Sequence, residues 1–249
     1  MNKILSYYLI VAIFFIHINY SYSQEKISFN PGEKLEYVIF YGLINGGVAT
    51  MELKKIIYNK NDALHCVTTA RSTGVTDVLY KVKDIYESYF DPETMLPYKS
   101  IRDINEGKYH KHDEAWYFHD KNRVKSINSG FIDSLPSDIR DMVSAFFYLR
   151  TVNYDTMKYG DIIELNTFFD DELFPFDMRY RGKEKIKTKM GHFNCIKLVP
   201  FVEPGRIFKT EEDMTIWICP DLKYAPVRVR FDLLVGSLKI DLISHSGIN

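Results

Sequence analysis

The carboxy-terminal third of the chain consists of short runs that mix apolar and polar residues, and this pattern constrains the fold more than any other feature. Seven such runs lie between Asp161 and Ser246, and each is rich in β-branched and aromatic residues. The runs are residues 162–169, 176–182, 185–190, 193–199, 214–219, 227–234 and 238–244. Turn-forming segments separate them, among them Gly182-Lys183-Glu184, and this spacing is typical of an antiparallel meander.

The amino-terminal half continues the same pattern. Two alternating runs, residues 34–43 and 48–57, flank Asn45-Gly46-Gly47, which predicts a β-hairpin. Five further runs predict strands at residues 63–70, 83–90, 96–104, 109–118 and 123–127. Both faces of the first strand carry large apolar side chains, as expected where a sheet curls around an interior and is also covered outside.

One segment has helical periodicity instead. Between residues 137 and 150 apolar side chains recur every three or four positions, so one side of a helix would be broadly apolar. Ser137 predicts the start of this helix, and Asp138 and Asp141 would oppose the positive end of its dipole. We expect the helix to pack on the curved sheet.

Composition supports one mainly β domain. A chain of 249 residues can bury a sizeable core, and β-barrels and sandwiches of this size commonly form a single domain. Aromatic residues make up 15% of the chain, and their large rings suit a wide sheet better than a helical bundle. A formal net charge of -1 provides no field to attract nucleic acid or anionic lipid, so we expect no nucleic-acid partner.

The amino terminus predicts export. Lys3 and a following apolar run lead to Ser21-Tyr22-Ser23, so residues 1–23 are read as a signal peptide cleaved before Gln24. The alternative is an uncleaved anchor helix, but its apolar core is short for a span of about 20 residues. No Cys lies near the site to carry a lipid, which favours a soluble exported product over a lipoprotein. Residues 24–249 are expected as a single domain. Since no later segment is apolar enough to span a membrane, this domain is not expected to be an integral membrane protein.

The three cysteines do not form a disulfide framework. If residues 192–199 and 213–219 pair as a hairpin, Cys195 falls opposite Cys219, and a cross-strand disulfide becomes geometrically conceivable. The alternative is a pair of small buried thiols on a β face. Cys66 has no evident partner.

Several phrases along the chain together resemble one exported bacterial family, catalogued as domain of unknown function 3108. The phrases are Gly46-Gly47-Val48-Ala49, Asp84-Ile85-Tyr86-Glu87-Ser88-Tyr89, Leu96-Pro97-Tyr98, Arg102-Asp103-Ile104, Asp141-Met142-Val143-Ser144-Ala145-Phe146-Phe147-Tyr148, Phe168-Phe169-Asp170-Asp171-Glu172 and Glu203-Pro204-Gly205-Arg206-Ile207-Phe208. The resemblance covers nearly all of residues 24–249. It implies a protein exported to the periplasm of a Gram-negative bacterium, with a large antiparallel meander sheet bent into an open barrel. It implies no reaction and transfers no catalytic residue.

The segment His110-Lys111-His112-Asp113-Glu114 is the most suggestive chemical cluster. On a strand His110, His112 and Glu114 point to the same face, and two imidazoles with a carboxylate can hold a divalent transition metal. A metal-assisted hydrolase is therefore the alternative function. The competing interpretation is a solvated outer face, since the surrounding residues are strongly charged.

Two further segments are candidate ligand sites. Asp170, Asp171 and Glu172 could bind a cation or supply an acid and a base; the competing interpretation, which the frequency of charged residues in connections favours, is an acidic loop between two strands. Arg206, next to Phe208, could clamp a carboxylate or phosphate headgroup at the mouth of the barrel, or could simply pair with the acidic residues that follow it.

The sequence lacks the short nucleophile, phosphate-loop and zinc-protease motifs. Catalytic triads assembled in space would escape such a search, but the absence favours a non-catalytic protein without a cofactor. The expected role is to hold a lipid or another apolar or acylated ligand, or to dock another envelope protein. The excess of Phe and Tyr would either line a cavity or fill a tightly closed core.

Overall fold

A computed structural model describes residues 29–201, 210 and 212–248, and in these residues nearly all regular structure is β-sheet. The predicted signal peptide lies outside the described residues. The strands are β1 (Lys34–Tyr41), β2 (Ile44–Tyr58), β3 (Asn61–Ser72), β4 (Lys83–Phe90), β5 (Pro97–Glu106), β6 (Tyr109–Phe118), β7 (Arg123–Ser126), β8 (Gly130–Ile132), β9 (Ile162–Ile163), β10 (Asn166–Phe169), β11 (Glu172–Pro175), β12 (Met178–Thr188), β13 (Gly191–Pro200), β14 (Met214–Cys219), β15 (Ala225–Asp232) and β16 (Ser237–Ser246). The helices are α1 (Gly74–Leu79) and α2 (Met142–Leu149), and short 3-10 turns occur at His119–Lys121 and Pro220–Leu222. Within the described residues, no helix is long and apolar enough to cross a bilayer.

Fourteen strands form one sheet, and every neighbouring pair in it is antiparallel. The order is β8-β7-β6-β5-β4-β3-β2-β1-β16-β15-β14-β13-β12-β9. Two meanders, one from each half of the chain, are therefore joined where the first strand pairs with the last, with Val38 opposite Asp241 and Tyr41 opposite Leu238. Strands β10 and β11 form a separate two-stranded hairpin.

Both halves of this sheet pack against helix α2. Phe147 of the helix lies in a buried cluster with Leu53 and Phe90 of the first meander. Leu149, at the end of the same helix, lies in another buried cluster with Leu198 and the rest of the second meander. A sheet whose two halves contact one short helix must bend around it. The prediction of a large antiparallel meander bent into an open barrel and covered by one main helix is confirmed.

Aromatic side chains on the concave face fill the core. Phe29 and Phe90 pack against Phe147 with ring centroids 4.9 and 5.0 Å apart. Farther along the sheet, Tyr117 meets Phe168 edge to face at 6.2 Å. Of the two expectations for the excess of aromatic residues, the described part of the chain favours a packed core.

The predicted helix starts too early. Helix α2 begins at Met142, because the buried Asp141 is its cap: the Asp141 carboxylate accepts hydrogen bonds from the backbone N–H groups of Val143 (2.8 Å) and Ser144 (3.1 Å). The residues before Asp141 contact the separate β10–β11 hairpin instead of extending the helix. The N–H of Arg140 donates to the carbonyl of Asn166 at 2.8 Å, which forms part of a short parallel bridge. The apolar periodicity continued through this bridge and concealed the true start.

In the second half of the chain, one predicted turn lies inside a strand and one predicted strand is divided in two. Gly182-Lys183-Glu184 belongs to β12, where the register shifts between Tyr180 and Lys183 and forms a bulge. The run predicted at 162–169 is divided between β9 and β10, which belong to different sheets.

The first hairpin also turns at a different position. It reverses at Gly42-Leu43, and Asn45-Gly46-Gly47 forms the start of β2. Gly47 is required there by a close approach: a Cβ at this position would lie 2.6 Å from the carbonyl oxygen of Arg71 on the neighbouring strand. Glycine at this position in β2 therefore indicates a close approach of two strand backbones and not a turn.

A buried ion pair fixes the helix to the start of the sheet. Arg150, just after α2, donates two hydrogen bonds to Glu33, with Nη1–Oε1 2.6 Å and Nη2–Oε2 2.9 Å, and both side chains are only 2% exposed. The Arg150 Nε also donates to the carbonyl of Lys223 at 3.1 Å. One guanidinium thus joins three parts of the chain that are distant in sequence.

Candidate functional site

A small cleft opens on the concave side where strands β4 to β6, the start of α2 and the β10–β11 hairpin meet. It encloses about 60 Å³. Its apolar walls come mainly from Met142, Val143, Phe168 and Phe169, and its charged rim from Arg102, Asp113 and Asp170. This is the place where strand, helix and hairpin residues converge, and we take it as the candidate site.

The tip of the hairpin has an unusual backbone. Asp170 and Asp171 form a two-residue turn, and both have positive φ values of 52° and 65°. Turns of this kind favour Asn-Gly, because residues with a side chain rarely adopt left-handed φ. Two consecutive aspartates there place two carboxylates at the tip at some conformational cost, which is characteristic of functional positions. The predicted acidic loop lies where expected, except that Glu172 is the first residue of β11.

Charged side chains of β5 and β6 hold this tip. The Arg102 guanidinium bonds to Asp113 through Nε at 2.8 Å and also to the Asp170 carboxylate. The Nζ of Lys111 reaches the same Asp170 carboxylate at 2.6 Å. Partial burial opposes ionisation of Asp170, but the hydrogen bonds from Lys111 and Arg102 hold the pKa of its carboxyl below the ordinary value. Asp170 is therefore a charged partner of both cations at neutral pH.

The other half of the turn and the hairpin strand add two contacts. The Ser129 hydroxyl donates to the Asp171 carboxylate at 2.5 Å. The Arg102 guanidinium carbon lies 4.2 Å from the centre of the Phe169 ring, within the range of a cation–π contact. The hairpin thus closes over the cleft through side chains, not through ladder hydrogen bonds to the large sheet.

The inner end of the cleft is formed by the cap of α2. The Ser88 hydroxyl donates to Asp141 at 2.6 Å, and Asp141 is only 5% exposed. Burial raises the pKa of Asp141, although the hydrogen bonds from Ser88 and from the helix backbone act in the opposite direction. All its contacts are structural ones at the helix start, so Asp141 holds the wall of the cleft in place.

This geometry suits recognition of an anion beside an apolar surface. A guanidinium offers a planar pair of donors that matches a carboxylate or phosphate. Asp170 occupies part of that donor set from a hairpin that is separate from the main sheet. An incoming anion can take its place without disturbing a strand of the main sheet.

The predicted metal residues lie on the opposite, convex face. The Nδ1 of His110 is 2.8 Å from the Asn105 side-chain oxygen, and the Nε2 of His112 is 3.3 Å from a Glu114 oxygen. Glu114 is itself paired with Lys99 at 2.7 Å. In the described part of the chain, no three His, Cys, Asp or Glu side chains are arranged to hold a metal ion. The metal-site hypothesis, and with it the hydrolase alternative, gains no support from this geometry.

The remaining predicted residues divide into two groups. Cys195 and Cys219 are joined by a disulfide between β13 and β14, with Cα atoms 4.1 Å apart, and Cys66 is a buried free thiol. Arg206 and Phe208 lie outside the described residues.

Sequence reasoning missed Arg102, Lys111 and Asp113 as site residues. The signal was present in the segment that suggested a metal. Because strand side chains alternate, Lys111 and Asp113 point away from His110, His112 and Glu114, towards the concave side. Charged residues facing the inside of a sheet were the informative feature there.

A solved structure of low sequence identity shares this fold. The crystal structure of a β-barrel-like protein of DUF1849 from Brucella abortus matches with a TM-score of 0.58 and 9% identity, covering 86% of this chain and 96% of that chain. A DUF1089 family protein from Pseudomonas aeruginosa gives a TM-score of 0.33 at 8% identity, over 89% of this chain and 93% of that chain. At these identities the first likeness concerns the fold alone.

Comparison with curated proteins gives no match. The family model described as "Protein of unknown function (DUF3108)" matches residues 36–243, which is most of the chain and agrees with the resemblance seen in the sequence phrases. The chain belongs to the DUF3108 family.

Proposed function

We propose that this protein is an exported, non-catalytic binding protein of the bacterial periplasm, and that its cleft takes the anionic headgroup of a ligand with an apolar part. The observation that carries the proposal is the pairing of Arg102 with Asp170 across the gap between the main sheet and the separate hairpin. In the bound state the ligand's carboxylate or phosphate would replace the Asp170 carboxylate on Arg102 and Lys111.

The small volume of the cleft limits which part of a ligand it can accept while the hairpin is closed. A volume of about 60 Å³ accepts a small headgroup but not an acyl chain. An apolar chain fits only if the β10–β11 hairpin moves outward, which would open the space between Phe168 and the helix residues Met142 and Val143. Ligand binding is therefore coupled to displacement of the hairpin.

The energetics favour ligands with an apolar part. Replacement of the Asp170 carboxylate on Arg102 by a ligand carboxylate changes the free energy little, because one ion pair is broken and an equivalent one is formed. The net affinity then comes from apolar surface removed from water, at about 25 cal/mol per Å². A simple inorganic anion would bind weakly, and an amphiphile would bind well.

Three variants test the proposal by native mass spectrometry and organic extraction of the exported protein. Arg102→Met removes the anion donor and should abolish the co-purifying ligand. Asp170→Asn removes the competing carboxylate and should raise ligand occupancy. Arg179→Met is the matched control, because Arg179 also pairs with a carboxylate and lies 4.1 Å from the centre of a phenylalanine ring, that of Phe201, outside the cleft. A wild-type protein that is consistently empty, or a ligand retained equally by Arg102→Met, would reject the cleft as a binding site.

Export is tested separately. The amino-terminal pattern supports removal of residues 1–23 during secretion. Amino-terminal sequencing of the protein from a periplasmic fraction should begin at Gln24. Protein found only in the cytoplasm with Met1 retained would contradict this part of the proposal.

A further inference from the structure

The convex face of the sheet carries a continuous row of cationic and aromatic side chains, which we call the outer row. Register places these residues directly opposite one another on six successive strands, β3 to β8. The members are His65, Tyr89, Lys99, Trp116, Lys125 and Phe131. Each flat ring after Tyr89 is separated from the previous one by a lysine.

Alternation along each strand places the outer row away from the core. The neighbours of Trp116 along β6, Ala115 and Tyr117, are both buried in a core cluster. Ser88 and Phe90, which flank Tyr89, are fully buried. The side chains between them therefore face outward: Trp116 and Tyr89 are partly exposed, and Phe131 is 55% exposed.

The aromatic residues recur with a fixed period across the sheet. Tyr89, Trp116 and Phe131 occupy alternate strands, so successive rings are two strand spacings apart, about 10 Å. The lysines between them stay close to the rings. Lys99 Nζ lies 5.0 Å from the centre of the Trp116 ring, and Lys125 Nζ lies 5.7 Å from the same ring.

The row is bordered by carboxylates, so its charge is balanced. Glu114 pairs with Lys99 at 2.7 Å, and Glu87 lies 2.8 Å from the Nε2 of His65. Paired charges of this kind create little long-range attraction for a polyanion. They do provide hydrogen-bond donors and acceptors beside each ring, which fix the orientation of a polar ligand.

From this arrangement we infer that the outer row binds a linear, uncharged, β-1,4-linked polysaccharide that crosses the strands. One face of a pyranose ring is largely C–H and would stack on the Trp116 ring in place of a lysine that lies over it, while its edges carry hydroxyl groups for the displaced lysine and for Glu114. Successive sugars in a β-1,4 chain are turned over relative to each other, so every second ring presents the same face. The spacing between alternate strands is close to that disaccharide repeat.

The test uses the complete mature protein with three oligosaccharide probes, chitohexaose, cellohexaose and maltohexaose, in titration calorimetry. The first two are extended β-1,4 chains, and maltohexaose is an α-linked control that coils. We expect saturable binding of at least one β-1,4 hexaose, weaker binding of its disaccharide because only one ring can stack, and no binding of maltohexaose. Trp116→Ala should weaken hexaose binding at least tenfold, and Phe131→Ala several-fold.

Two controls keep the result interpretable. Phe131 is half exposed on a terminal strand, so Phe131→Ala is expected to fold even if Trp116→Ala does not. Tyr159→Ala removes a ring that is 72% exposed elsewhere on the surface and should leave binding unchanged. Absence of binding of both β-1,4 hexaoses at millimolar concentration, or equal affinity in wild type and Phe131→Ala, would overturn the inference. Neither outcome depends on whether the Arg102 cleft holds a ligand.

Discussion

Substitution of Glu33 by Gln should destabilise the protein far more than the loss of one hydrogen bond would suggest. Gln keeps the size of the side chain but removes the carboxylate that faces the Arg150 guanidinium, at a position where both residues are 2% exposed. Removal of one member of a buried ion pair leaves a buried charge without its counter-charge and costs about 3–5 kcal/mol. Because Gln retains an acceptor oxygen, we expect the lower end, about 3 kcal/mol. In a protein of this size that corresponds to a fall in Tm of about 6–12 °C.

The measurement is urea unfolding followed by tryptophan fluorescence. The double variant Glu33→Met with Arg150→Met leaves neither charge in the core and should therefore unfold at a higher urea concentration than Glu33→Gln alone. Asp62→Asn is the control: the N–O distance of its pair with Lys55 is similar, 2.8 Å, but both side chains are more than half exposed, so the change should stay within about 0.5 kcal/mol. A loss below about 1 kcal/mol in Glu33→Gln, or a double variant that unfolds at no higher urea concentration than Glu33→Gln, would refute the reasoning.

Three further predictions concern the disulfide, the hairpin and the first turn. Reduction of Cys195–Cys219, which closes a loop with a sequence separation of 24, should cost about 3 kcal/mol in urea unfolding with and without reductant; three titratable thiols in the unreduced, unfolded protein would contradict the bond. Because the pKa of Asp170 is lowered in the fold, its contribution to stability is complete above the unfolded pKa of about 3.9 and is lost as pH falls through the lower folded pKa. The hydrogen-exchange protection factors of the β10–β11 amides should therefore stay constant down to about pH 4 and fall below it, and a fall already at pH 6 would argue against the clamp. Gly47→Ala should destabilise by about 1–3 kcal/mol, whereas Gly46→Ala, whose nearest contact would be 3.4 Å, should be tolerated; equal effects would show that close approach to Arg71 is not the cause.

The strands were predictable because their signal is local. Alternation and turn residues predict nearly every strand of the large sheet, and the predicted hairpin register places Cys195 opposite Cys219. The predicted ends of helices and strands were wrong where a residue bonds to a part of the chain that is distant in sequence. Ser137 looked like a helix cap, but the backbone near Arg140 bonds to β10, and Asp141 caps the helix instead.

The candidate site was only half predictable. Asp170 and Asp171 attracted attention as an acidic loop, but their partner Arg102 is 68 residues away in sequence from Asp170. No periodicity encodes such a pairing, because it depends on how the separate hairpin folds back over the sheet. The histidine segment failed in a different way. The prediction of a metal site used the solvent-facing side chains of β6, whereas Lys111 and Asp113, which alternate with them along the strand, face the candidate site.

The seam between β1 and β16 has a consequence for biogenesis. Residues 34–41 can complete their second ladder only with residues 237–246, so a chain that emerges amino end first cannot finish its central contacts until almost all of it is present. Contacts of such long sequence separation slow folding. A polypeptide organised in this way remains unfolded during most of its synthesis and reaches its native structure only when the last strand is available.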